Sequence, residues 1–230
     1  MSTAFVVDGD NGEIFDMNYI RQFLLLSISF IMVGICVYAD AAEMGCLAPS
    51  PTKLAGKDPF GPMTVRDLSD QEEQLLKTLF RSLSGTWIGT AESLLCRGID
   101  NPSDKEIKKS TLRLAVESDH FGTTTTFLAH FYESQERVRH FETIRFFLKE
   151  HRLRVDSESG AGDIELIEIT ESRIRFLHRR IHAAARGAAV RKEFFINLAI
   201  DGHKCNYERL IYTQGRLTVR ELWSLSKDDR

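Results

Sequence analysis

From Gly85 to the C-terminus, apolar and polar residues alternate in short runs rich in Thr, Val, Ile and Phe. That is the pattern of strands with one buried face. About ten such runs begin near Thr86, Ser110, Phe121, Arg137, Arg152, Asp163, Ser172, Val190, Lys204 and Arg216. "SGAGD" (Ser159–Asp163), "DGHK" (Asp201–Lys204) and "QGR" (Gln214–Arg216) supply turn chemistry between them. Ahead of the strands, "SDQEEQLLKTLFRSL" places Leu75, Leu76, Leu79, Phe80 and Leu83 on one helical stripe. Ser69 and Glu72 form a capping box at its start. The stretch Ser172–Lys192 also has a helical stripe in Ile174, Leu177, Ile181, Ala184, Ala185 and Ala188. Strands on both sides favour a strand to about His182 and a loop around Arg186–Gly187.

Short strands joined by hairpins imply an antiparallel meander, and closing it on itself removes its exposed edges. The predicted fold class is therefore mainly β. It is an antiparallel up-and-down barrel of about eight to ten strands, with one short amphipathic helix before the first.

The N-terminal pattern differs. Phe23–Tyr38 is an uncharged apolar run followed by Ala39 and Ala41, which fits a signal peptide cut near Ala41/Ala42. The first 16 residues are acidic, whereas a start at Met17 gives a short region carrying Arg21, so Met17 reads as the true start. The run is short for a membrane span of roughly 20 residues. An uncleaved signal anchor is the alternative, and the only membrane contact expected. Glu43–Asp67 holds four of the five prolines and few bulky apolar groups. The organisation is thus 1–41 signal region, 42–68 mobile linker, and 69–230 helix plus barrel. The localisation it implies is export, periplasmic or secreted.

Charge refines this picture. Removing residues 1–41 takes one of 30 basic and five of 33 acidic groups, leaving a domain near neutrality. Such a balance makes no general case for nucleic acid. Ser172–Lys192 nevertheless has seven Lys or Arg and no carboxylate. Without interleaved aromatics it suits an anionic envelope component better than a nucleic acid. Three cysteines follow the signal region, and Cys96 with Cys205 would bridge if the first and penultimate strands lie close together.

"GTWIG" at Gly85–Gly89 is the most specific motif. A Gly-x-Trp opening the first strand after a short helix resembles the lipocalins and the wider calycin group of barrels. The resemblance covers roughly Leu83 to Ser226 and implies that Gly85 and Trp87 close the barrel's narrow end under a basic residue near the C-terminus. Arg220 is the candidate, although the apolar face of its strand is Leu217, Val219 and Trp223. The Thr-Asp-Tyr motif and the C-terminal helix of lipocalins are missing. Fatty-acid-binding proteins share Gly-Thr-Trp and ten strands but have two helices in a gap that is too short here.

With Trp87 pointing inward, alternation sends Gly89, Ala91, Ser93 and Leu95 inward as well. Small residues there would leave a cavity, walled by Phe127, Phe131, Phe146 and Phe195, unless those rings fill it. His178 and His182 have helical ligand spacing, but on a strand they stand about 13 Å apart, so no metal or other cofactor is expected. No nucleophile motif or phosphate loop occurs, and no catalytic residue is assigned. The leading expectation is an exported lipocalin-like protein that holds a small apolar or amphipathic ligand non-covalently. The alternative is a ligand-free envelope interaction or inhibitor module using Arg179, Arg180 and Arg186.

Overall fold

A computed structural model describes Cys46, Pro49, Ser50, Thr52, Gly61 and residues 63–97, 104–132, 138–157, 160–183 and 189–228, the side chains of 139, 182 and 183 excepted. The chain divides into Met1–Met44 and Gly45–Arg230, and the described residues belong to the second unit. The expected signal region, its cleavage site and the Arg186–Gly187 loop lie outside the described residues.

Helix α1 (Asp70–Leu83) is followed by β1 (Gly85–Cys96), β2 (Lys105–Ser118), β3 (Thr124–Tyr132), β4 (Val138–Lys149) and β5 (Arg152–Ser157). Then come β6 (Gly160–Ile169), β7 (Arg173–Ala183), β8 (Ala189–Asp201), β9 (Lys204–Thr213) and β10 (Arg216–Lys227). Each strand pairs antiparallel with its sequence neighbours, and β1 pairs β10, so the ten strands form a closed up-and-down barrel. Ser172–Lys192 is strand, not helix, up to Ala183. "SGAGD" is not a turn over its whole length, because Gly160–Asp163 already belong to β6.

The capping box forms as expected: Ser69 Oγ accepts from the Glu72 N–H, and the Glu72 carboxylate accepts from the Ser69 N–H. Leu76, Leu79, Phe80 and Leu83 are buried, so α1 lays its apolar stripe over one end of the barrel. Below it the core continues through Trp87, Leu112, Leu114, Val116, Phe127, Phe146 and Phe176. Ser118 Oγ donates to Phe80 O at 2.7 Å and ties the helix to β2.

Residues expected to form a mobile linker are held against the barrel wall where they are described. Cys46 is disulfide-bonded to Cys96, Pro49 bridges Arg216, and Ser50 and Thr52 are buried. This corrects the expected Cys96–Cys205 pairing. Cys205 alternates inward on β9, where its thiol is free and wholly buried, while Cys96 ends β1 at the opposite end of the barrel wall. Burial pushes the Cys205 thiol up to about 12, so it stays protonated.

Candidate functional site

Trp87 closes the helix end of the barrel. It is completely buried, its indole N–H donates to Leu83 O at 2.7 Å, and Lys227 Nζ lies over the ring at 5.3 Å from its centroid. The basic residue across the tryptophan is therefore Lys227. Arg220 faces the outer surface of β10, where its Nε donates to Glu208 at 3.0 Å. Alternation decides this, because Arg220 is an odd number of residues from the inward Trp223 and Lys227 an even number.

Gly89 and Ala91 of β1 meet close neighbours on β10. A Cβ on Gly89 would run into the Ser224 carbonyl, so Gly89 allows β1 and β10 to approach closely. Ala91 is buried opposite Trp223, whose ring sits 4.3 Å from that of Tyr207 and edge-on to Phe131 at 5.6 Å. Ser93 is half-buried between Glu221 and Lys108 on the neighbouring strands. Phe127 and Phe146 meet edge to face at 5.4 Å, and Phe146 meets Phe176 at 5.5 Å. The gap among Phe80, Phe146, Ile174, Phe176, Ile196 and Tyr207 has no room for a water molecule. Phe195 belongs to the outer face, packed in register between Leu177 and Leu210, and its neighbour Phe194 is the one that faces the core. Of the expected wall, Phe127, Phe131 and Phe146 pack with the core and Phe195 lies on the outer face.

Beyond the Trp223–Tyr207 layer the interior turns polar. Arg209 donates to both oxygens of Glu142, at 2.5 and 2.9 Å, and through Nε to Glu221 at 2.8 Å. Burial opposes the Arg209 charge, but Tyr207, Glu221 and Glu142 outweigh it and raise its pKa well above the ordinary value. Burial raises Glu221 despite the pull of Arg209. One guanidinium between two carboxylates satisfies groups that would be costly to bury alone.

A cleft opens in the side of the barrel. The β6–β7 ladder runs from Ile164↔His178 to Ile169↔Ile174. Beyond it, Gly160–Asp163 pair with β5 and Arg179–Ala183 with β8, so the two strands part at this end. At this opening the Asp163 carbonyl accepts a hydrogen bond from His178 Nδ1 at 3.0 Å. That nitrogen must carry the proton, which leaves Nε2 to accept from Arg180 Nε–H at 2.7 Å. Burial lowers the His178 pKa, so the ring is neutral at pH 7. A Cβ on Gly160 would collide with the Arg180 guanidinium, and one on Gly162 would come within 2.6 Å of the His178 ring. Two glycines therefore let both side chains lie across β6.

Gly61 and residues 63–65 form a strap over this opening. Arg179 Nη1 donates to Gly61 O at 2.9 Å and Nη2 to Thr52 Oγ1 at 3.0 Å, while the Thr64 N–H donates to Glu165 at 3.2 Å. Between strap and wall lies a cavity of about 480 Å³ lined by Met63, Val65, Ile181, Asp163, Glu193 and four cations, Arg179, Arg180, Arg191 and Lys192. Both lining carboxylates already hold a cation, Asp163 to Arg154 at 2.8 Å and Glu193 to Arg179 at 2.9 Å. The cavity therefore has a surplus of positive charge and an apolar side.

No family model matches the chain, and no curated protein does. Sequence reasoning picked out the basic stretch containing Arg179 and Arg180 but read it as a contact for an anionic envelope component. It missed the strap residues and His178–Arg180 pairing, whose available signal was Gly160 and Gly162 opposite two long polar side chains. The His182 side chain lies outside the described residues.

Proposed function

We propose that the protein is an exported, calycin-like barrel that binds a small amphipathic molecule in the cleft between the strap and the parted β6–β7 wall. The observation that carries this reading is the 480 Å³ cavity, within the size range of small-molecule sites and flanked by Met63, Val65 and Ile181. Ile181 is 66% exposed and adds to the apolar side of the cavity formed with Met63 and Val65. The closed ten-strand barrel, the helix over one end and the Trp87–Lys227 contact support a calycin-like ancestry. The Cys46–Cys96 bridge supports an oxidising compartment, and among the described residues no helix is long and apolar enough to cross a membrane.

The neutral fluorophore N-phenyl-1-naphthylamine tests the reading. It is expected to bind one per chain, and Val65→Trp, which fills the cleft, should weaken binding about tenfold without moving the urea midpoint. Undetectable binding, or equal binding by Val65→Trp, would overturn it.

A further inference from the structure

We infer that the cleft selects amphiphiles carrying an oxyacid head group, carboxylate or phosphate, and that Arg180 is the group that holds it. This rests on the cleft being the binding site and adds the charge of its ligand. Among the described residues, Arg180 has no carboxylate within ion-pair distance, unlike its neighbour Arg179. Its Nη2 is buried without a hydrogen-bond partner, an uncommon state for a guanidinium, whose N–H groups lose water on burial. Asp156 acts on Arg180 through space, and Asp163 is already held by Arg154.

His178 fixes the guanidinium by its Nε, and Arg180 lines the cavity with its Nη2 still lacking a partner. A fork of parallel N–H groups is the geometry that carboxylate and phosphate oxygens accept. Lys192 stands directly across the strand pair from Arg180 and lines the same cavity, adding a second positive charge. Met63, Val65 and Ile181 supply the surface against which an alkyl chain loses its contact with water. A neutral amphiphile would satisfy the apolar side and leave the guanidinium unpartnered. A cationic one would be repelled.

The test compares dodecanoate, dodecyl phosphate, dodecanol and dodecyltrimethylammonium, each below its critical micelle concentration, as displacers of N-phenyl-1-naphthylamine. Either anion is expected to displace the dye at a concentration at least about tenfold below that of dodecanol, with the cation weakest. The stronger of the two anions identifies the head group. Arg180→Gln should erase most of the anion's advantage over dodecanol, and Arg180→Lys should retain part of it. Equal displacement by dodecanoate, dodecyl phosphate and dodecanol overturns the head-group assignment, as does an undiminished anion preference in Arg180→Gln. In both cases continued dye binding leaves the cleft itself standing as the site.

Discussion

His178 shows how a single side chain can couple packing to proton concentration. Its ring donates to Asp163 O and accepts from Arg180, an arrangement that only the neutral Nδ1–H form can make. Burial and the Arg180 charge disfavour the imidazolium, and the attraction of Asp163 is too weak to reverse this. The folded pKa lies below the unfolded value of about 6.5, so the unfolded chain takes up the proton first as pH falls. The stabilising contribution is therefore complete above about pH 6.5 and is lost as pH drops through the folded value. Urea unfolding at a series of pH values from 7.5 to 5 is expected to show this loss, and His178→Asn should flatten the profile in that window. Glu72 is held down at about 2 by Arg66 and the Ser69 N–H, and Asp67, Glu73 and Asp119 are also shifted below the ordinary carboxylate range, so these groups titrate below that window. An unchanged slope in His178→Asn would show that other groups carry the dependence.

At the scale of elements, the described residues ahead of α1 are held to the barrel by separate anchors. Cys46 is bonded to Cys96 at the end of β1, Arg179 grips Thr52 and Gly61, and Leu68 is buried beside α1 with its N–H donating to His151 O at 2.7 Å. The bridge closes a sequence separation of 50 residues. Removing such a cross-link costs about 2–4 kcal/mol, largely through the freedom returned to the unfolded chain. Cys46→Ser should lower stability by that amount and expose residues 46–68 to limited proteolysis. It should also weaken dye binding in the cleft. Unaltered proteolysis would mean that Arg179 and the buried Thr52 hold the strap without help from the disulfide.

At the scale of the whole barrel, the described residues pack an apolar core at the helix end and a charged cluster beyond Trp223, with a cavity in the side wall. Trp87 links the three parts that close the packed end: it bonds to the last turn of α1, stands in β1, and lies under Lys227 at the end of β10. Trp87→Ala should therefore cost about 3–5 kcal/mol, the loss for a large buried aromatic. Lys227→Ala should cost no more than about 1 kcal/mol, since a partly exposed cation over a ring contributes little more. Chemical denaturation of both variants measures the difference. Comparable losses would mean that the cation, rather than the burial of the indole, secures the end.

Much of this architecture is written in the sequence because its causes are local. The stripe Leu76, Leu79, Phe80 and Leu83, the Ser69–Glu72 box and the alternation within each strand depend on neighbours a few residues apart. Ten alternating runs joined by short turns leave closure as the way to remove edges, and β1–β10 pairing is that closure. What local periodicity cannot specify is which distant groups meet. Cys96 found Cys46 instead of Cys205, Lys227 and not Arg220 reached Trp87, and Trp223 took the space opposite Ala91. The cleft needed still more: two strands that part, two glycines that admit His178 and Arg180, and a segment 100 residues upstream laid across them. Those contacts are set by how the closed sheet brings remote residues together, so only the tertiary structure could turn a basic stretch into one wall of a binding site.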